Sequence, residues 1–155
     1  MSLKIRVEHP LSSSSRTLIA ASQSALEAVY SADECFSYSP EELDTPNSLF
    51  LVARTKGCPL GCVALVDEGD YGEVKRLYVE PDARGLGVAR ALLAELQQVA
   101  KDIGLSVLRL ETGDKLEPAV KLYQRLGYEP RDRFGSYDDH PASLFMEKEL
   151  EMAVY

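Results

Sequence analysis

The sequence predicts one α/β domain of the α+β type over residues 1–155, a mixed and mostly antiparallel sheet flanked by helices. Three observations predict it. Three apolar segments of strand length follow one another between Ser48 and Val79 with turn-forming residues between them, which makes antiparallel neighbours and not an opening βαβ unit. Two segments with helical apolar spacing, Leu86–Ile103 and Asp114–Tyr128, then enclose a strand. A last apolar segment in the tail supplies another strand.

Taken in order, "LKIRVEH" alternates apolar and charged residues at Leu3, Ile5 and Val7, the pattern of a half-buried strand. "SSSS" forms a loop and N-cap for a helix whose apolar positions are Leu18, Ala25, Leu26 and Val29, ending near Tyr30. "SPEELDTPN" is turn and short-helix material. "SLFLVART" and "LGCVALV" make a hairpin through "KGCP", and "EVKRLYV" follows the turn "DEGDYG". Ala89, Leu92, Leu93, Leu96, Val99, Ala100 and Ile103 draw one stripe on the next helix, which Gly104 ends. "SVLRLE" is a strand. In "DKLEPAVKLYQRLGY", Pro118 sits in the first helical turn and Gly127 lies just beyond the last. The tail, with "SLFMEKEL", supplies at least one more strand, and there is neither a linker nor an internal repeat.

Composition narrows the function. With 17 basic and 25 acidic residues the net charge is −8, which excludes a general nucleic-acid binder because phosphate affinity requires a concentrated basic face. No apolar run reaches the length of a membrane span and the start is no signal peptide, so a cytoplasmic protein without membrane contact is expected. Cys35, Cys58 and Cys62 are too few and too irregular for a disulfide framework or a zinc site, and no metal is expected. His9 and His140 are isolated in the sequence.

The segment "PDARGLGVARALL" at residues 81–93 places Gly85 and Gly87 between Arg84 and Arg90, at the entry to a helix. One reading is a dinucleotide fold, with Glu111 as the ribose-binding acid. Arg90 in the third glycine position and "EPDA" between strand and turn count against it. A Walker A loop is excluded, since no Gly-Lys-Ser/Thr exists. A purely structural β-to-α turn is the second reading. The third is a pyrophosphate cradle. Backbone N–H groups from Arg84 to Ala89 would converge on an anion at a helix N-terminus, with Arg84, Arg90, Lys75 and Arg76 as a local basic island.

At this point the residues resemble a known family. "RLYVEPDARGLGVARALL" is similar to the acetyl-CoA-binding segment of the GNAT superfamily of N-acetyltransferases. Its pattern is Gln or Arg, two residues, Gly, one residue, then Gly or Ala, here Arg84, Gly87 and Ala89. "GEVKRLYV", "LRLET" and "AVKLYQRLGYEP" follow in the family's order, and the resemblance spans about Asn47 to Leu150. It implies the single-domain GNAT acyltransferase fold, with two central strands, residues 73–79 and 106–111, splayed to admit acetyl-CoA as co-substrate.

The main chain of Leu77, Tyr78 and Val79 would bond the pantetheine arm, and Arg84, Gly85, Leu86, Gly87, Val88, Ala89 and Arg90 would hold the pyrophosphate. Glu73 resembles the general base, with a solvated strand glutamate beside Lys75 as its structural alternative. Tyr123, in the frame A-x-x-L-Y-x-x-x-G-Y, matches the general acid at the thioester sulfur. Leu116 stands where many relatives carry asparagine, so a polar cofactor contact is lost or passes to another residue such as Thr112.

The resemblance implies direct acetyl transfer to a primary amine of a small molecule or peptide, and it allows a homodimer, since many relatives are dimers. Two rivals stay open: transfer of another acyl group, and a non-catalytic acyl-CoA-binding module. The acceptor itself is not legible. Acidic residues Glu41, Glu42, Asp44, Asp138 and Asp139, in the least typical segments, point weakly to a cationic one.

Overall fold

A computed structural model describes residues 2–35 and 37–152. Its strands are β1 (Lys4–Val7), β2 (Ser48–Thr55), β3 (Cys58–Asp67), β4 (Gly72–Val79), β5 (Val107–Gly113), β6 (Glu129–Arg131) and β7 (Ser143–Glu149), and its α-helices are α1 (Ser13–Glu27), α2 (Val88–Asp102) and α3 (Glu117–Arg125). The strands form one seven-stranded sheet in the order β1-β2-β3-β4-β5-β7-β6. Every neighbouring pair is antiparallel except β4 and β5, which run parallel because α2 carries the chain from one to the other. The mixed, mostly antiparallel sheet flanked by helices is the expected class.

Both faces of the sheet are covered, and the strands sort their side chains between them with period two. Leu51, Ala53, Val63, Leu65, Val74, Leu108 and Leu110 pack on the α2 face with Leu92, Leu93 and Leu96. Phe50, Val52, Cys62, Ala64 and Val66 pack on the opposite face with Leu18 and Ile19 of α1. This two-sided burial explains why β2 and β3 are almost continuously apolar.

Two local expectations change. Leu3 and Ile5 are half-buried, but Val7 is 54% exposed at the edge of the sheet. α1 starts at an N-cap as expected, Ser12 Oγ accepting from the Ser15 N–H at 3.2 Å, but the helix ends at Glu27 and its buried positions are Ser15, Leu18, Ile19 and Ser22. Ala25 and Val29 are exposed and Leu26 half-buried, because their side of α1 borders a cleft and not the core. The short strand β6, which contains Pro130, was not expected. It lies at the sheet edge, where a missing N–H is tolerated.

Two irregularities in β4 make the site. Its parallel pairing with β5 covers only Gly72–Leu108, Glu73–Arg109 and Val74–Leu110. Beyond Val74 the strands diverge, although β4 stays paired with β3 to Val79. Between the partners Lys75–Ala64 and Tyr78–Cys62 the β4 strand also carries one extra residue, a β-bulge. Arg76 lies there with φ of 55°, a left-handed backbone for a residue that has a side chain.

Leu92 and Leu96 on α2 are fully buried. Leu92→Ala should cost about 2–5 kcal/mol in urea-induced unfolding, since a closely packed face collapses only partly around a lost side chain.

Candidate active site

Where β4 and β5 part, a cleft of about 530 Å³ opens, bounded by α1, α3 and the N-terminus of α2. The main chain of Leu77, Tyr78 and Val79 borders it with no strand partner on the β5 side. Their side chains alternate, Leu77 and Val79 against the α2 core and Tyr78 against the α1 core.

The glycine turn lies at one end. After a short 3₁₀ turn at Pro81–Ala83, Gly85 and Gly87 adopt φ of 79° and 83°, and Gly87 is the N-cap of α2 with no side-chain cap. A Cβ on either glycine would meet nothing within 4 Å, so the space in front of the helix is open. Among the described residues, no protein acceptor receives the N–H groups of Gly85, Leu86, Gly87, Val88, Ala89 or Arg90. Open space, convergent donors and the positive end of a helix suit a phosphate. Val88 takes part through its main chain only, because its side chain is buried in the core. Arg84 is exposed and its Nε donates to the Val79 carbonyl at 3.1 Å, closing the end of β4. Arg90 and Leu86 are exposed.

Lys75 and Arg76 do not join the cradle. Lys75 is buried and pairs with Glu73 at 3.1 Å. The Tyr137 hydroxyl donates to Glu73 Oε2 at 2.5 Å, Lys75 Nζ donates to the same hydroxyl, and the ammonium also lies 4.3 Å from the Tyr38 ring centroid. These contacts offset the cost of burying the ion pair. Glu73 is therefore no solvated strand glutamate: it is 4% exposed and sits behind Lys75, which lines the cleft where Glu73 does not.

Glu111 on β5 does line the cleft. Burial raises its pKa above the usual carboxylate range, although Ser143 Oγ donates to it at 2.7 Å and Lys75 opposes the rise. The sequence signal of Glu111 is slight: an acid closing an apolar strand also fits a ribose ligand. Tyr123 is buried on α3, edge-on to Tyr128 with ring centroids 5.5 Å apart, and borders the cleft. Its hydroxyl has no hydrogen-bond partner among the described residues, and burial, with a contribution from Glu111, pushes the phenol pKa up.

Leu116 is the N-cap of α3 and supplies no side-chain cap. Nearby Thr112 is buried, borders the cleft and has no hydrogen bond to a described residue, so its hydroxyl is the polar group presented there. The acidic segments face elsewhere: Glu41 pairs with Arg16, Asp44 lies 3.6 Å from His9, and Asp139 borders a separate depression beside β6. Glu34 and Glu111 are the only acids lining the cleft among the described residues, and no cluster of three or more potential metal ligands exists among those residues. Burial pushes the Cys62 thiol up to about 12, so it is no nucleophile.

A parallel pair that parts beside an open helix N-terminus leaves a cleft whose shape suits an extended ligand. The model of the acetyltransferase (GNAT) family matches residues 18–128, and the chain belongs to that family. It is 41% identical over 145 residues to an IAA acetyltransferase of Azospirillum brasilense, covering 92% of this chain and 95% of that one. A candidate acyl-CoA N-acyltransferase of Klebsiella pneumoniae superposes with a TM-score of 0.82 at 34% identity, over 96% of this chain and 98% of that one. The PaiA N-acetyltransferase of Thermoplasma acidophilum, solved with coenzyme A, shares the fold with a TM-score of 0.76 at 23% identity, over 96% and 99% of the chains. Among the described residues no helix is long and apolar enough to cross a membrane.

Because Gly87 has a left-handed φ, a bulky branched substitution there would strain the backbone as well as fill the cradle. Asparagine tolerates that conformation, so Gly87→Asn isolates the second effect. It should weaken coenzyme A binding about tenfold or more, through lost charge-assisted hydrogen bonds, while leaving the unliganded melting temperature within a few degrees. Isothermal titration and thermal unfolding would measure the two quantities.

Proposed function

We propose that residues 1–155 act as one cytoplasmic N-acetyltransferase domain that moves an acetyl group from acetyl-CoA directly to the primary amine of a small molecule or peptide. The observation that carries the reading is one cleft lined by the desolvated Glu111 and by Tyr123, whose hydroxyl has no partner among the described residues, and reaching Arg84 and Ala89 at the two ends of the open glycine turn. Family membership and the acetyltransferase relative support the same chemistry. A non-catalytic acyl-CoA-binding module needs the cradle but neither of the other two groups.

An alkylammonium has a pKa of roughly 10 and must lose a proton before its nitrogen can attack the thioester carbonyl. Of the two acids on the cleft, Glu111 is the one raised towards neutrality, where a carboxylate both exists and accepts a proton well. Glu73, the base implied by the family resemblance, would act on the same proton only across Lys75; in this proposal it holds that cation in place. Attack forms the C–N bond and leaves one excess proton on nitrogen; collapse of the tetrahedral intermediate breaks the C–S bond as Tyr123 passes its hydroxyl proton to the departing thiolate and regains that excess proton from the nitrogen. With its pKa raised, the Tyr123 phenol stays protonated throughout the working range and serves as a donor. The cradle of Arg84 to Arg90 and the free edge of Leu77, Tyr78 and Val79 would hold the co-substrate. No metal enters the reaction.

Tyr123→Phe keeps the ring and its packing, so turnover should fall by roughly 10²-fold with little change in coenzyme A affinity. The pH–rate profile separates the two carboxylates. Because Glu111 is raised, kcat/KM should climb with pH through an ionisation above the usual carboxylate range, on the acid side of the amine's own. Glu111→Gln should remove that limb, depress the rate at neutral pH and recover partly at alkaline pH, where free amine is available. If Glu73→Gln removes the limb and Glu111→Gln does not, the base is Glu73.

A further inference from the structure

Four arginines among the described residues are half-buried: Arg54, Arg76, Arg109 and Arg131. Three of them meet a carboxylate, Arg54 with Glu8 at 2.8 Å and Arg109 and Arg131 with Glu147 at 2.7 Å each. Arg76 meets none within ion-pair distance among the described residues. Instead neutral groups hold it: Nε donates to the Tyr38 carbonyl at 3.0 Å, Nη1 to Ser22 Oγ at 3.2 Å and Nη2 to Gln23 Oε1 at 2.7 Å. A guanidinium carries five N–H donors, so one on each terminal nitrogen is left without a protein acceptor.

This charge is placed deliberately. The β4 bulge and the left-handed φ of Arg76 turn its side chain to the α1 side, the side of Lys75, and the residue lines the cleft. Lys75 is neutralised by Glu73, so it does not compete for an anion on equal terms. The phosphate cradle lies beyond Val79, more than one strand residue past the bulge, at the N-terminus of α2. A half-buried cation with two spare N–H donors, backbone strain to aim it and no counter-ion among the described residues is a site prepared for an anion that arrives with a ligand.

We infer that Arg76 binds a carboxylate of the acyl acceptor, so that the acceptor class is amines that also carry a carboxylate group. The inference rests on the transferase reading above for the word acceptor, while the anion site itself does not. Recognition is a fork of two N–H···O bonds to one carboxylate, with Ser22, Gln23 and Tyr38 fixing the plane of the guanidinium. It reverses the weak expectation of a cationic acceptor, whose acidic residues the fold turns away from the cleft.

The test uses L-leucine, β-alanine and 6-aminohexanoate, each beside its own carboxamide, in the full-length protein saturated with coenzyme A. The NMR signal of the Arg76 Nε–H group, assigned by its loss in Arg76→Lys, reports binding. At least one carboxylate should shift it saturably, with its carboxamide about tenfold or more weaker. Arg76→Gln should erase that preference in acetyl transfer, and Arg76→Lys should retain part of it.

No saturable shift from any of the three carboxylates, or equal shifts from the carboxamides, overturns the inference. So does coenzyme A alone occupying the Arg76 site. Equal acetylation of acids and amides would remove the carboxylate site and leave the transferase standing. Carboxylate-specific shifts with no acetyl transfer to any of the six probes would count against the transferase and leave the anion site standing.

Discussion

Pairing between β4 and β5 stops after Val74 and Leu110, and the rest of the site depends on that interruption. Two parallel strands that continued side by side would satisfy each other's N–H and C=O groups and leave no entry. Parting at this point leaves β4 from Leu77 to Val79 without a strand partner on the β5 side, its one side-chain hydrogen bond there among the described residues being Arg84 Nε on the Val79 carbonyl, so that an extended ligand can act as the missing strand. An opening through the middle of a sheet is tolerable only if other contacts hold the halves together. α2 packs across one face, α1 across the other, and β3 remains bonded to β4 along the whole splayed stretch.

Charge is sorted around this opening with little regard for the net charge of the chain. Glu73 and Lys75 are buried together with Tyr137, and the pair presents a neutral, rigid floor. Such an arrangement adds little stability relative to an apolar replacement, but loss of one member would strand the other without a counter-charge. Among the described residues Glu111 and Arg76 lack an ionic partner of that kind, and both border the cleft. Their desolvation is free energy held in the folded protein that a correctly charged ligand can relieve. Tyr30 adds a different constraint: its hydroxyl accepts from the Lys115 N–H at 2.6 Å and lies where a Cβ on Gly113 would have to be, so α1 is tied to the loop after β5 and the acceptor side keeps its shape.

The family relationship explains why the cradle and the Tyr123 frame are easier to read than the acceptor wall. The proposed cofactor side is made by one contiguous stretch, the end of β4 running through the glycine turn into α2, where local backbone chemistry is enough to imply a use. The acceptor side combines α1, the segment containing Glu34 and Cys35, the bulge of β4 and the end of β5, brought together from distant parts of the chain.

From the sequence alone came the class of fold, the order of the main strands and helices, an N-cap within the four serines, the turn at Gly85 and Gly87, and the family. Each of these is written in local periodicity or in residues that a single turn requires. The tail strand β6 escaped notice because a three-residue segment containing proline has no periodicity to read. Exposure of Ala25 and Val29 escaped for another reason, since an apolar stripe looks alike whether it meets a core or a cleft. Only the tertiary structure decided which carboxylate borders the cleft, that Lys75 is neutralised, and that Arg76 is not. Desolvation and partners more than thirty residues away along the chain (Tyr137 on Glu73, Ser22 and Gln23 on Arg76) set the first and last of these. Even the i, i+2 pair of Glu73 with Lys75 forms an ion pair only because both are buried on one side of the sheet.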